Sequence, residues 1–283
     1  MLRLLAPAAV LFGLLALGAA PAAANHVGCG DVITQDTTLD EDLVDCPGSG
    51  IVIGADDITV DLNGHTISGT GATGFAYAGV DLSSNNATVR DGAVRGFEHG
   101  VQISGNNNLV RSVSASNNEL GVFIGVNAGP HGNRIESSVI SNNEGGIFLS
   151  DAGGSLTPGN VIRKNTIAGN AFSGVSAIET YNTRVVRNRV EGNGLDGIWM
   201  GGDALRSVIE GNTSNANGDD GIEIEGGIFG APELSNEVTR NTANDNGDLG
   251  VQAPEDPELV IDGGGNRAFG NGNPLQCIGI VCR

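Results

Sequence analysis

The sequence predicts an all-β solenoid, in which short strands coil into a stack of similar turns. A phrase with two asparagines and a Gly-Ile strand occurs twice within residues 188–225, and the two copies lie 24 residues apart. A repeat of this length is too short for a domain, so we expect it to form one turn of a stack. Ile198 and Met200 flank Trp199, and residues 222–224 repeat this alternation, which has the period of a β-strand. Asn and Gly tolerate positive φ angles and mark the corners.

The first residues of the chain have the features of a secretory signal peptide. Arg3 supplies a positive charge, Leu4–Leu17 is apolar, and Ala22–Ala24 provides small residues for cleavage. The apolar run is short for a membrane span. We therefore assign residues 1–24 to a signal peptide and expect a secreted chain that begins near Asn25 and does not insert into a membrane.

The composition is acidic and rich in glycine. The 283 residues include 33 Asp and Glu, 14 Lys and Arg, and 46 Gly, and the formal net charge is −19 at pH 7. Such a surface repels nucleic acids and anionic membranes. It should also repel a polyanionic glycan unless a cation bridges the two.

The four cysteines lie near the two ends of the chain, with Cys29 and Cys46 at one end and Cys277 and Cys282 at the other. In a secreted protein this arrangement predicts one local disulfide at each end. Four cysteines allow three pairings, and the sequence does not choose among them. Disulfides at these places would clamp caps over the exposed strand edges of a solenoid.

The remaining chain divides into a cap at residues 25–50, a coiled region at residues 51–267 and a second cap at residues 268–283. Within the coiled region a Gly-Val or Gly-Ile phrase recurs at intervals of 21 to 29 residues, and it predicts eight or nine coils. The phrase begins at Gly79, Gly100, Gly121, Gly146, Gly174, Gly197, Gly221 and Gly250.

Two features resemble a known family. Residues 57–67 are similar to the first-coil signature of many secreted bacterial β-helix proteins, and an Asn-x-Ile-x-x-Asn-x-x-x-Gly-Ile rhythm covers roughly residues 51–267. The chain thus resembles the right-handed parallel β-helix repeats of the pectate-lyase-like and NosD-like type. The resemblance implies a right-handed parallel β-helix, whose ends the disulfides predicted above would clamp. It does not select an activity, because this family includes lyases, hydrolases, epimerases and proteins without known activity.

Stacked turns would align equivalent residues about 4.8 Å apart. The residues after each repeated glycine would form an inward aliphatic ladder: Val101, Val122, Ile147, Val175, Ile198, Ile222 and Val251. Asparagines would form a second ladder at a corner, through Asn117, Asn170, Asn193, Asn217 and Asn246, with either Asn142 or Asn143 in the intervening turn.

Three aromatic residues occupy outward positions of the repeated strand. Phe123, Phe148 and Trp199 each follow an inward residue, so their rings would lie on the outer face of one sheet. Rings along such a face form a platform for sugar rings. The alternative is that the long loops after these strands fold back and bury the rings.

Carboxylates lie beside this predicted platform. Asp196 and Asp220 occupy the same repeat position, Asp219 precedes Asp220, Glu223 is on the outward face, and Asp203 lies in the loop between the two copies. Adjacent like charges raise pKa values, as a general acid requires, or bind a hard cation such as Ca²⁺. We take Asp196, Asp219, Asp220 and Glu223 as candidate catalytic residues, and Asp203, Asp219 and Asp220 as candidate Ca²⁺ ligands.

The segments around Asp196 and Asp219-Asp220 resemble the Asp and Asp-Asp motifs of polygalacturonase-type glycosidases, which implies acid and base roles for these aspartates. That family has Asn-Thr before its first Asp, where this chain has Gly194-Leu195, and its Gly-His-Gly and Arg-Ile-Lys motifs are missing. A lyase would need a base such as Arg or Lys, but Lys164, Arg187 and Arg240 recur on another face, where we expect solvated charges without a special role.

The function that we expect is the binding of an extracellular polysaccharide. Whether the chain also processes this polysaccharide, as a lyase or a glycoside hydrolase, stays open at this stage. The alternative is a non-catalytic envelope or surface protein whose stacked faces contact another protein.

Overall fold

The computed structural model describes residues 26–71, 77–125, 129–154, 157–225, 232–256 and 258–283. These residues form β-strands and one 3-10 helix, η1 (Pro232–Leu234), and they include no α-helix. None of the described helical structure has the length and apolar character that a membrane crossing requires. The predicted signal peptide lies outside the described residues.

The strands are short because a corner residue interrupts the chain every few positions. In chain order they are β1 (Asp31–Ile33), β2 (Thr37–Thr38), β3 (Leu43–Cys46), β4 (Ile51–Ile53), β5 (Thr59–Asp61), β6 (Thr66–Gly69), β7 (Ala78–Leu82), β8 (Thr88–Arg95), β9 (His99–Ile103), β10 (Leu109–Ser116), β11 (Leu120–Ile124), β12 (Arg134–Glu136), β13 (Val139–Ser141), β14 (Gly145–Ser150), β15 (Val161–Arg163), β16 (Thr166–Ala168), β17 (Val175–Ile178), β18 (Arg184–Val186), β19 (Arg189–Glu191), β20 (Ile198–Gly201), β21 (Val208–Glu210), β22 (Thr213–Asn215), β23 (Ile222–Ile224), β24 (Asn236–Thr239), β25 (Thr242–Asn244), β26 (Val251–Gln252), β27 (Val260–Gly264), β28 (Arg267–Phe269) and β29 (Cys277–Ile278).

The strands stack in parallel into three sheets, and each turn of the chain visits the first, second and third sheet in that order. The first sheet runs β1-β4-β7-β9-β11-β14-β17-β20-β23-β26-β29. The second sheet stacks strands such as β12, β15 and β18, and the third stacks β13, β16 and β19. The longer strands β8 and β10 bend at Asp91 and Ser112, which have positive φ angles, and contribute one half to each of these two sheets. This arrangement confirms the predicted parallel β-helix.

The first sheet has eleven strands within the described residues, which corresponds to about ten turns. The repeated glycine phrase predicts eight or nine because the end turns lack it. Strands β1 and β29, which belong to the first and last of these turns, lie in the segments that the sequence assigns to the caps.

The core is the aliphatic ladder that the sequence predicts. Backbone pairing places Val101, Val122 and Ile147 in register, and the ladder continues without a break to Val251. All seven predicted members are at most 1% exposed. Burial of stacked Val and Ile side chains is the main source of stability that each turn gains from its neighbours.

Asparagine ladders hold the corners together. The Asn143 Oδ1 atom accepts hydrogen bonds from the backbone N–H and the side-chain amide of Asn118, at 3.0 and 3.1 Å, and its own amide donates to Ala115 and Asn170. Ladders of this kind satisfy backbone groups that the corners would otherwise bury without partners. They run through Asn118, Asn143, Asn170, Asn193, Asn217, Asn246 and Asn271, and through Asn165, Asn188, Asn212, Asn241 and Asn266.

Two details of the asparagine prediction are corrected. Asn118 and Asn143 belong to the ladder, whereas Asn117 and Asn142 are exposed and have positive φ angles. In addition, the corner between the first and second sheets carries a ladder that the sequence analysis missed, through Asn108, Asn133 and Asn160, and Asn236 accepts a hydrogen bond from Ser207 at the same corner three turns later.

Both predicted disulfides form locally. Cys29 pairs with Cys46 and Cys277 pairs with Cys282, and the described residues contain no free cysteine. Each bond therefore closes a loop at one end of the stack, where a turn has a neighbour on one side only.

Candidate functional site

The outer face of the first sheet carries an unbroken column of side chains. Backbone register places Phe123, Phe148, Ser176, Trp199 and Glu223 on five consecutive strands. Since these strands are about 4.8 Å apart, the column forms one strip about 19 Å long. The strip brings two of the predicted aromatic residues into contact, and it places the third beside the predicted carboxylates.

The aromatic part of the strip is partly exposed. The rings of Phe123 and Phe148 stack with a centroid distance of 5.8 Å and an interplanar angle of 16°. Ser176 lies between this pair and Trp199, so a small side chain separates the Phe148 ring from the indole. All three rings are half-buried, while parts of the long loops near the strip (residues 126–128, 155–156 and 226–231) lie outside the described residues.

Two glycines allow the rings to lie flat along their own strands. A Cβ atom added at Gly125 would overlap the ring of Phe123, and one added at Gly201 would overlap the indole of Trp199. The backbone beside each ring is therefore part of the surface that a flat ligand would meet. A side chain at either glycine would displace the ring.

Asp196 and Asp220 lie at the corner where the chain enters the first sheet. The Asp196 Oδ1 atom accepts a hydrogen bond from the backbone N–H of Asp220 at 3.1 Å, and the Asp220 Oδ1 atom accepts one from Leu249 at 2.7 Å. Each carboxylate thus joins its turn to the next one, as the asparagines do at other corners. Both residues are more than nine-tenths buried. The second oxygen of Asp196 accepts a long hydrogen bond of 3.5 Å from the Ser173 hydroxyl.

Glu223 completes a group of three carboxylates. Oxygen atoms of Asp196, Asp220 and Glu223 lie within 4.8 Å of one another. Glu223 is half-buried, and its Oε1 atom accepts a hydrogen bond of 2.7 Å from the amide of Gln252 on the next strand. It also neighbours Trp199 in the outward column. The group therefore lies at one end of the aromatic strip.

The pKa values of this group are raised. Burial, followed by repulsion from neighbouring carboxylates, raises the pKa of Asp220 and that of Glu223 to about 7. Burial also raises the pKa of Asp196, which the repulsion of Asp219 increases further. Near neutral pH, the group therefore holds protons that it can donate or take up.

Asp219 belongs to a second, more exposed group. Oxygen atoms of Asp219, Asp220 and Asp248 lie within 4.8 Å of one another, so Asp220 takes part in both groups. Sequence analysis missed Asp248, although Asn246-Gly247-Asp248 repeats Asn217-Gly218-Asp219 in the preceding turn. Asp203 joins neither group, and it lines a separate cavity with Asp151, Glu179 and Tyr181.

Either group could hold a hard cation. Ca²⁺ takes carboxylate oxygens at 2.3–2.6 Å, so three oxygens within 4.8 Å of one another can share one ion. Asp196, Asp220 and Glu223 would hold it at the strip, and Asp219, Asp220 and Asp248 would hold it farther out. A bound cation would lower the raised pKa values by neutralising the repulsion.

The opposite end of the strip is also polar, which the sequence analysis did not anticipate. His99 packs against Phe123 with a ring-centroid distance of 4.7 Å, and its Nδ1 atom lies 2.8 Å from Gln102 Oε1. Asp81 pairs in register with Gln102, and burial raises the pKa of its carboxyl group. The sequence contained the information needed to predict this polar end, since Gln102 occupies the outward position one turn before Phe123.

The fold and the strip can be compared with known proteins. A sequence model described as "Right handed beta helix region" matches residues 30–176 and 125–273. No protein of curated function matches the sequence.

Three solved structures are similar to the fold of this chain, and two of them are by name an alginate epimerase and a pectate lyase. A periplasmic alginate epimerase, AlgG, has a TM-score of 0.55 at 16% identity over 90% of this chain and 69% of its own. The pectate lyase Pel9A has a TM-score of 0.52 at 14% identity over 90% of this chain and 69% of its own. DFA-IIIase from Arthrobacter chlorophenolicus in complex with DFA-III has a TM-score of 0.57 at 12% identity over 79% of this chain and 57% of its own. At these identities the likeness concerns the fold.

Proposed function

The chain belongs to the right-handed β-helix family, and we propose that it binds an extracellular polysaccharide along the outer face of its first sheet. The observation that carries this proposal is the column of Phe123, Phe148 and Trp199, which ends at Glu223. A linear chain of sugar rings can lie along such a strip, with its apolar ring faces on the aromatic side chains. Its hydroxyl groups would then meet polar side chains at both ends.

Two further observations support this proposal. The solved structures that resemble the fold include, by name, an alginate epimerase and a pectate lyase. The predicted leader and the two disulfides agree with an oxidising location outside the cytoplasm.

Hydrolysis of the bound polysaccharide is a second function that we propose, on the strength of the carboxylate group. Because the pKa of Glu223 is raised to about 7, this residue still carries a proton near neutral pH, and it neighbours Trp199 on the strip. In this proposal Glu223 protonates the glycosidic oxygen as the bond to the anomeric carbon breaks. A neighbouring carboxylate, Asp196 or Asp219, takes a proton from the water that attacks that carbon.

Elimination is less well supported than hydrolysis. A β-eliminating lyase needs a base that removes a proton from carbon, and in this fold the base is often Arg or Lys. The described part of the outward column, from Val52 to Ile278, contains neither residue type.

The binding proposal is tested with Trp199→Ala, assayed by affinity electrophoresis against neutral and acidic polysaccharides. For any polysaccharide that retards the wild-type chain, we expect the substitution to weaken binding by at least about tenfold, which corresponds to about 1.4 kcal/mol. Phe269→Ala is the matched control, because Phe269 is an exposed aromatic residue on the third sheet. If the wild-type chain binds no polysaccharide but co-purifies with a protein, the result would instead support the alternative function, a non-catalytic surface protein that contacts another protein.

The hydrolysis proposal is tested separately on any polysaccharide that binds. We expect new reducing ends from the wild-type chain, and their loss in Glu223→Gln at unchanged binding. Products that absorb in the ultraviolet through a new double bond would show elimination and refute this step. Binding without products would leave the binding proposal intact and refute hydrolysis.

A further inference from the structure

The cations of this acidic chain are concentrated on one face. Seven of them lie on the outer side of the second sheet or at its corner with the third sheet, within five consecutive turns. We call this set the basic stripe, and it consists of Arg90, Arg111, Arg134, Arg163, Lys164, Arg184 and Arg187.

Register explains how separate parts of the sequence form the stripe. Arg90 pairs with Arg111, and the same column continues through Glu136 to Arg163. A second column carries Arg134, and it reaches Arg184 two strands further on. Five strands about 4.8 Å apart make the stripe about 19 Å long, with at least one cation on every turn.

Most of the stripe is free to meet a ligand. Arg90 contacts Asp61 at 2.6 Å and Asp91 at 2.7 Å, and Arg163 contacts Glu136. Among the described residues, no carboxylate lies within 4.0 Å of the other cations except Glu210, which is at that limit from Arg184.

The remaining four cations, Arg111, Arg134, Lys164 and Arg187, are all exposed. The seven cations of the stripe face four carboxylates, Asp91 and Glu136 from the same turns and Asp61 and Glu210 from the adjacent turns, so the local charge is still positive although the chain is negative overall.

The stripe also has a concave part. A cavity of about 240 Å³ lies among Arg163, Lys164, Arg184 and Arg187, and its wall also contains Val161, Val186 and one carboxylate, Glu210. Four cations around one cavity provide many hydrogen-bond donors, and guanidinium groups suit the two oxygens of a carboxylate or sulfate group.

We infer that the basic stripe binds a linear anionic polysaccharide, one with carboxylate or sulfate groups at regular intervals. The evidence is the linear arrangement, the four unpaired cations and the cavity. Single-stranded nucleic acid fits less well, because its binding sites usually add aromatic stacking platforms. The outward residues among these cations are Thr88, Leu109, Glu136, Val161 and Val186, and none of them is aromatic.

This inference concerns a different face from the aromatic strip and stands independently of the proposed function. It also revises the expectation from net charge alone that a polyanionic glycan would be repelled. The stripe gives such a glycan one attractive surface on an otherwise repulsive molecule.

The test measures binding of the full chain to sodium polygalacturonate and to dextran sulfate, at low and at physiological salt. We expect affinity that falls as salt rises, and a loss of about tenfold at low salt in the variant Lys164→Asn with Arg187→Asn. Asparagine suits the positive φ angles of both positions.

The matched control, Arg189→Gln with Arg267→Gln, removes the same charge from the third sheet and should stay within about twofold of the wild type. The inference is overturned if neither polysaccharide binds at low salt, or if the control pair weakens binding as much as the stripe pair. Tighter binding of single-stranded DNA than of both polysaccharides would overturn it as well.

Discussion

Replacing Asp220 with asparagine should stabilise the protein at pH 8 and leave it almost unchanged near pH 4. The pKa of Asp220 is raised from its ordinary value of 3.8 to about 7, mainly by burial and then by repulsion from Asp219, Asp196 and Asp248. The folded chain therefore binds this proton more tightly than the unfolded chain. The stability from this group is fully present below pH 3.8 and is lost as the pH rises to about 7.

The size of the effect follows from the two pKa values. Their difference corresponds to at most about 4 kcal/mol at pH 8. Solvent screening and the sharing of protons with Glu223 and Asp196 reduce this value, and we expect about 2 kcal/mol. Asparagine keeps an oxygen that can accept the hydrogen bond from Leu249, so the corner itself should persist.

The assay is thermal unfolding followed by circular dichroism at pH 4.5 and pH 8. We expect Asp220→Asn to raise the melting temperature by about 4–8 °C at pH 8 and by much less at pH 4.5. Asp245→Asn is the control, because it makes the same chemical change at an exposed aspartate that belongs to neither carboxylate group, and it should alter stability by less than about 0.5 kcal/mol. Destabilisation by Asp220→Asn at both pH values would refute the reasoning, since it would show that the ionised form is the favoured one.

Three other predictions concern the corners, the strip and the carboxylates. Asn118→Ala should lower the free energy of unfolding by about 2–3 kcal/mol in a denaturant titration, because it leaves the buried N–H of Phe97 without its acceptor. Asn117→Gly should be nearly neutral, because glycine suits the positive φ angle of that position. Equal losses in the two variants would contradict the assigned register. Gly201→Ala should displace the indole and reduce polysaccharide affinity without changing any charge, and unchanged affinity would show that the strip is not the contact surface. Millimolar Ca²⁺ should raise the melting temperature of the wild type at pH 8 but not that of Asp220→Asn, and an equal rise in both would place the cation elsewhere.

The sequence predicted the first sheet well, for a physical reason. Each turn buries the residue after a repeated glycine, so the alternation from Val101 to Val251 is visible in the sequence. The corner residues were harder to assign from the sequence, because residues of several types, including Asn, Lys, Arg and Gly, adopt the positive φ angles of the corners. Asn117 and Asn118 are adjacent, and only the fold shows which one faces inward.

The two functional surfaces also differ in how far the sequence alone predicts them. The group of Asp196, Asp220 and Glu223 was accessible from the sequence because two copies of one repeat carry it. The basic stripe was accessible only in part, because Lys164 and Arg187 recur before the Asn corner, whereas Glu136 interrupts the column of Arg111 and Arg163. These cations join one face only after the lengths of the intervening loops have set the register between turns.

The central claim is that the outer face of the first sheet binds a polysaccharide, and Trp199 offers the most direct test of it. The chain contains a single tryptophan, so its intrinsic fluorescence reports on the strip alone. We would titrate the protein with soluble polysaccharides and record the emission of Trp199. A saturable change in emission, with the affinity found by electrophoresis, is the predicted result. Binding of an uncharged polysaccharide that leaves this emission unchanged would contradict the account, because the basic stripe is proposed to bind anionic polysaccharides only.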